Sequence, residues 1–237
     1  LPNQGLNTMK KIYIAATVQN AGKTTVCLGL FRAAEKMGYN ACFIKPVGQR
    51  YRMAEGEKVD EDAVLFKRAL SARGGMKMLN PVTIPRGFTR QYIFNRDQES
   101  IHSAIREAFA EVSEGCDLAI IEGTGHAGVG SVVDSSNAQV ARMLDAHSLL
   151  ISGGGIGSCI DEICLNRALF DQTGVPLIGA VINKVWEKKY DVVAPAVRQG
   201  LENQGIDCFG VIPYRRELAS PTMQQFQEEL GLEVLAG

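Results

Sequence analysis

No apolar run in this 237-residue sequence is long enough to cross a bilayer, so there is no candidate for a membrane-spanning helix. Nothing in it resembles a secretory leader either, which makes the cytoplasm the expected compartment. Neither charge sign is in excess: 25 basic residues stand against 26 acidic ones. That balance excludes a general nucleic-acid footprint or a polybasic membrane surface and leaves room only for a local patch. The six cysteines (27, 42, 116, 159, 164 and 208) contain no C-x-x-C pair. A disulfide framework or zinc site is therefore not expected; reduced thiols acting as small buried hydrophobes are. Repeats, low-complexity tracts and internal linkers are lacking as well.

What is present is ordinary globular material, 46% apolar and 22% charged, enough for one sizeable core. Residues 1–9 read as a tag or disordered tail ahead of a single domain over 10–237. Short, nearly continuous apolar runs at 11–16, 41–45, 118–122, 148–152, 177–183 and 208–212 read as strands covered on both faces. Amphipathic stretches at 23–37, 60–72, 99–114, 138–144, 160–172 and 191–204 read as the helices between them. Several end at a glycine (Gly38, Gly115, Gly174, Gly205), which suits a left-handed C-terminal cap. The alternation implies right-handed crossovers and an α/β fold of three layers, a mostly parallel sheet flanked by helices. Two stretches break the rhythm. Residues 73–96, with Gly-Gly and two prolines, read as an excursion over the strand ends. The tail 219–237 reads as a short helix (222–230) and a strand-like end (232–235) leading toward a further domain of a longer protein.

The segment TVQNAGKTT (17–25) follows an apolar strand and opens an amphipathic helix, the setting a phosphate-binding P-loop requires. Backbone N–H groups along Thr17, Asn20, Ala21, Gly22, Lys23, Thr24 and Thr25, with the positive helix end, cradle phosphate oxygens. Lys23 adds a cation able to bridge β- and γ-phosphates, and the Thr24 hydroxyl suits Mg²⁺. Gly22 has no Cβ to hold phosphate away from its backbone. The expected ligand is ATP with Mg²⁺. The pattern departs from G-x-x-x-x-G-K-[ST] at its first glycine, which is Thr17, and Val18 leaves no second lysine in the loop.

A P-loop with Thr in that place resembles dethiobiotin synthetase and its relatives, cobyrinic acid a,c-diamide synthase and the synthetase-like N-terminal region of phosphotransacetylase-type proteins. Along nearly the whole chain, FIKPVGQ (43–49), VDEDAVLF (59–66), IIEGTG (120–125), SGGGIGSCIDE (152–162), VINKV (181–185) and FGVIPY (209–214) are similar to that family's successive segments. The wording EGTGHAGVGS (122–131) and the tail 218–237 look nearest to the phosphotransacetylase-associated group.

The resemblance gives roles to residues at strand ends, where open α/β sheets bind ligands. Lys45 would neutralise charge on the transferred γ-phosphate. Glu122 and Asp62 would ligate Mg²⁺, directly or through water, with Asp60 competing for the second place and a helix N-cap the plain role of either Asp. Asn183 would read the adenine edge, and Pro213 would wall the base pocket. The resemblance also implies a homodimer that holds an unidentified small-molecule second substrate across its interface. Two departures argue against diaminopelargonic acid there: Asp161 stands where the family has Asn, and HAGVGS (126–131) replaces an aromatic segment. His126 is either a phosphate or acid–base contact or a polar surface residue. Asp134 reads as the cap of the following helix, and Trp186 as packing or rim. Three functions fit: an ATP-dependent carbon–nitrogen ligase, a non-catalytic nucleotide sensor of a phosphotransacetylase-like protein, and, disfavoured by Val18, a dimerising ATPase switch.

Overall fold

The computed structural model describes residues 9–70 and 72–219. The expectations for residues 1–8 and for the tail beyond 219 lie outside the described residues. Strand β1 (Lys10–Ala16) leads into α1 (Lys23–Lys36) and β2 (Ala41–Ile44). A section of short pieces follows: β3 (Val47–Gly48), β4 (Tyr51–Ala54), β5 (Glu57–Asp60), α2 (Glu61–Leu70), α3 (Met76–Leu79), β6 (Val82–Thr83) and α4 (Phe88–Phe94). Regular alternation resumes with α5 (Gln98–Ser113), β7 (Leu118–Glu122), α6 (Asn137–Met143), β8 (His147–Gly153), α7 (Gly157–Gln172), β9 (Leu177–Val185), α8 (Tyr190–Asn203), β10 (Cys208–Pro213) and α9 (Arg216–Ala219).

Six strands form one sheet in the order β10-β9-β8-β1-β7-β2, every neighbouring pair parallel. Their apolar runs are buried on both sides, as Tyr13, Ile14, Ile120, Ile121, Leu150 and Ile151 show. The right-handed crossover rule sends the chain from β1 through α1 toward β2, and back the other way through α5, α6, α7 and α8. Helices therefore cover both faces. The chain reverses direction around β1, and at such a switch point the strand ends open a crevice for ligands. The register sets Ile14 of β1 beside Glu122 of β7 and Ala16 beside Ile151 of β8, so the P-loop leaves β1 between the ends of both neighbours.

Where the sequence placed a glycine stop, the backbone is left-handed: φ is 83° at Gly38, 67° at Gly115, 70° at Gly174 and 63° at Gly205. The 73–96 excursion holds ordered pieces, α3 and α4, with β6 pairing with β3. A hairpin not visible in the hydrophobic pattern, β4–β5, turns at Glu55 and Gly56 with φ of 53° and 81°. Phe66 of α2 stacks on Phe43 of β2 with ring centroids 3.4 Å apart, which fastens this section to the sheet. Asp134 does not cap α6. Ser136 does, in a capping box: its side chain accepts from Gln139 N, and the Gln139 side chain accepts from Ser136 N at 2.9 Å. Asp134 instead turns left-handed (φ 53°) and accepts hydrogen bonds from Tyr92 and Arg96.

Candidate nucleotide site

Residues 17–25 form a tight loop between β1 and α1, left-handed at Asn20 (φ 63°) and Gly22 (φ 96°). Thr17 is not among the left-handed residues, so the position that usually carries glycine needs none here. Its side chain does something glycine cannot. The hydroxyl donates to Glu162 Oε2 of α7 at 2.7 Å and lies 2.9 Å from Ser152 Oγ of β8, while Thr17 N donates to the Ile151 carbonyl. The loop is thus tied to its neighbouring strand and to α7. At Gly22 a Cβ would fall 2.2 Å from Asn183 Nδ2, a close approach only glycine permits.

The oxygens expected at the metal converge. The Thr24 hydroxyl is 2.8 Å from Glu122 Oε1 and 3.0 Å from Asp62 Oδ1. One hydroxyl proton cannot serve both carboxylates. The other Glu122 oxygen, on a side chain only 1% exposed, has no hydrogen-bond partner among the described residues. A cluster of hard oxygens short of protons fits Mg²⁺, which takes one or two carboxylates and completes its shell with phosphate and water. Among the described residues no group of three or more His, Cys, Asp or Glu holds a metal unaided. Burial, reinforced by Asp62, raises the Glu122 carboxyl to about 7, with Lys45, the Thr24 hydrogen bond and Lys23 pulling the other way.

Lys45 is buried, 2.9 Å from Asp60 Oδ1 and 3.8 Å from Glu122 Oε1, and in contact with Asp62. Burial pulls its pKa down, but Glu122, Asp62 and Asp60 outweigh it and hold the lysine charged. Lys23 is lowered from its ordinary value, burial being the main cause. Asp60 and Asp62 separate by geometry. Asp60 caps α2, accepting from Asp62 N at 3.1 Å, and also accepts from Gln49 N and Arg50 N; Asn80 anchors its backbone. Asp62 faces Thr24 and Lys45; burial would raise its pKa, but Lys45 lowers it.

Two cavities meet over the loop. One of about 390 Å³ is walled by Lys23, Thr24, Lys45, Arg50, Asp62 and Glu122. The other, about 460 Å³ and more apolar, is walled by Thr25, Val26, Leu30, Asn183, Pro213 and Tyr214. Both have the size of small-ligand sites. Asn183 spends part of its amide on the protein: Nδ2 donates to the Ala21 carbonyl at 2.9 Å, and Oδ1 accepts from Lys184 N. One N–H and one lone pair remain. Trp186 packs at a tilt on Tyr214 near the apolar cavity, with ring centroids 5.2 Å apart. His126 does not wall the phosphate cavity; its Nδ1 accepts from Gly128 N at 3.3 Å.

Sequence reasoning missed two positions. Asn137, which opens α6, receives the Tyr13 hydroxyl and holds Thr124 and His126 by their backbones, fixing the loop after Glu122; a Cβ on Gly123 would meet it at 2.6 Å. Lys184 lies in the quoted VINKV segment and reaches the P-loop, with its Nζ 2.7 Å from the Asn20 carbonyl.

A protein-family model described as an AAA domain matches residues 10–222. Over 212 residues, 89% of this chain and 92% of the relative, the sequence is 26% identical to an ATP-dependent dethiobiotin synthetase from Cellvibrio japonicus. The chain belongs to the dethiobiotin synthetase-like P-loop family. A synthetase from Aromatoleum aromaticum is 29% identical over 174 residues, 73% of this chain and 77% of the relative. Over 96% of its length the chain is also 24% identical to a phosphate acetyltransferase from Nitrosomonas europaea, of which it spans 32%. Among solved structures, the septum site-determining protein MinD from Pyrococcus horikoshii, complexed with Mg-ADP, matches with a TM-score of 0.56. It is 14% identical, over 88% of this chain and 82% of that one. A plasmid partition protein from Borrelia burgdorferi bound to AMPPNP matches at 0.55 and 12% identity, over 94% of this chain and 97% of that one. Both likenesses show the fold. This member of the synthetase-like family is a P-loop protein with a nucleotide-binding architecture.

Proposed function

We propose that the chain is an ATP-dependent carbon–nitrogen ligase of the dethiobiotin synthetase type. The observation that carries this reading is the convergence of Thr24, Asp62, Glu122 and Lys45 beside the P-loop, at the wall of one cavity. Similarity to ATP-dependent synthetases supports it. The P-loop and Lys23 hold the β- and γ-phosphates, the apolar cavity beside Asn183 and Pro213 takes the base, and Thr24, Asp62 and Glu122 hold Mg²⁺. Asp60 is assigned to Lys45 and the α2 cap. Mg²⁺ supplies neutralisation of phosphate charge. A carboxylate or carbamate oxygen attacks the γ-phosphorus as ADP leaves, giving an acyl phosphate. An amine then attacks its carbonyl carbon and inorganic phosphate leaves. The attacking oxygen is already anionic, so no general base is required, and the protein contributes positioning and positive charge from Lys23 and Lys45. The second substrate differs from diaminopelargonic acid, because exposed Asp161 repels a carboxylate held across a homodimer interface.

The test is phosphate release from ATP and Mg²⁺ across a panel of carboxylates paired with amines. Release that depends on one pairing supports a ligase; tight nucleotide binding with no release under any pairing overturns it in favour of a binding role. Lys23→Ala should weaken ATP binding about 10- to 100-fold, the worth of a charge-assisted phosphate contact. Unchanged affinity would remove the nucleotide assignment.

A further inference from the structure

Lys184 stands at the end of β9 with a left-handed backbone (φ 60°), a conformation side chains with a Cβ avoid. From there the side chain crosses the phosphate loop. Its Nζ donates to the Asn20 carbonyl at 2.7 Å, and its Cε lies 3.6 Å from where a Cβ on Gly22 would sit. It borders both cavities, the phosphate one and the apolar one, at the point where they join. An ammonium has three N–H donors and the Asn20 carbonyl takes one. The exposed side chain keeps the others for a ligand.

Charge explains why a further cation belongs there. Lys23, Lys45 and Arg50 share the phosphate cavity with four acids, Asp60, Glu61, Asp62 and Glu122, and three of these, Asp60, Asp62 and Glu122, surround Lys45. Lys45 is already divided among those three carboxylates. The interior alone is therefore no cationic cradle for a polyphosphate, and Val18 adds no charge from the loop.

We propose that Lys184 is a nucleotide-positioning residue, whose ammonium clamps the open side of the P-loop and pairs with the polyphosphate where the phosphate and base cavities meet. The inference rests on the reading of this loop as a nucleotide site. It gives the left-handed turn after Asn183 a purpose: the turn directs one residue to the base cavity and the next to the phosphates.

The experiment is titration of the full chain with ADP in the presence of magnesium chloride, over a salt series, for Lys184→Ala, Lys184→Arg and Lys184→Gly. Lys184→Ala should lose about tenfold in affinity at low salt, with the gap closing as salt screens the pairing. Arginine should restore most of the loss. Glycine should lose as much as alanine while melting no lower than the parent, because it relieves the left-handed strain. A loss equal at all salt concentrations would mark Lys184 as a mere latch on Asn20 and overturn the clamp. So would Lys184→Ala or Lys184→Gly affinities within twofold of the parent. Lys23→Ala in the same series separates the two readings. If it abolishes ADP binding while the Lys184 variants are silent, only the clamp falls; if it leaves binding intact, the nucleotide reading falls.

Discussion

Asp60 and Asp62, two positions apart, show how one acidic cluster divides its labour. Asp60 is 2% exposed, and its carboxylate is consumed by Lys45 and by the backbone N–H groups of Gln49, Arg50 and Asp62. Asp62 keeps an oxygen against the Thr24 hydroxyl. Asp60→Ala should therefore destabilise the fold by about 3–5 kcal/mol, the cost of stranding a buried partner. Asp62→Asn should cost less stability than Asp60→Ala, because Lys45 keeps Asp60 and Glu122, but should raise about tenfold the Mg²⁺ concentration that half-saturates ATP binding. Thermal melts and magnesium titrations read the two effects; equal effects of both variants on both measurements would refute the division. The sequence could not make this assignment, because DED (60–62) offers a cap and a ligand with the same chemistry, and only the helix start tells them apart. Thr17 was legible as a family marker. Its ties to Ser152 and Glu162 were not, since the partners lie 135 and 145 residues away.

At the scale of elements, the strands and long helices stood out because parallel strands bury both faces and the helices before Gly38, Gly115, Gly174 and Gly205 stop at a glycine. The 118–122 strand agrees residue for residue with β7, and the glycine stops reappear as left-handed turns. The β4–β5 hairpin was hidden because most of its residues are half-buried or exposed, and it carries no clean alternation. The loop before α6 was misread for a related reason. Asp134 and Ser136 are both good caps, and the long-range contacts from Tyr92 and Arg96 decide between them. That loop also contains a test of backbone geometry. Ser136→Ala should cost about 1 kcal/mol through loss of the cap. Gly130→Ala should cost more, because φ is 97° and its Cβ would fall 2.2 Å from the Ser135 carbonyl oxygen. Denaturant titrations that ranked serine as the costlier loss would contradict this account of the loop.

For the whole molecule, stability is concentrated in the sheet's centre. β1, β7 and β8 contribute the fully buried Ile14, Ile120, Ile121, Leu150 and Ile151, while Met53 on the β4–β5 hairpin is 63% exposed. Amide exchange should be slowest in β1, β7 and β8 and fastest in β4–β5, which borders the phosphate cavity through Arg50 and Asp60. Bound nucleotide should slow the hairpin more than the centre; the reverse order would place the ligand elsewhere.

Because all six strands run the same way, the molecule has two unlike rims. The P-loop, Lys45, Glu122 and Lys184 all emerge at one. At the other, the turns at Gly38, Gly115, Gly174 and Gly205 have open space around the position of a Cβ. The exposed side chains beside those left-handed glycines, such as Met37, Glu114, Gln172 and Gln204, are places to attach things: a dye, a linker or an immobilising anchor fixed there would leave the P-loop rim facing free solution. Parallel pairing thus gives this protein a working side and a handle.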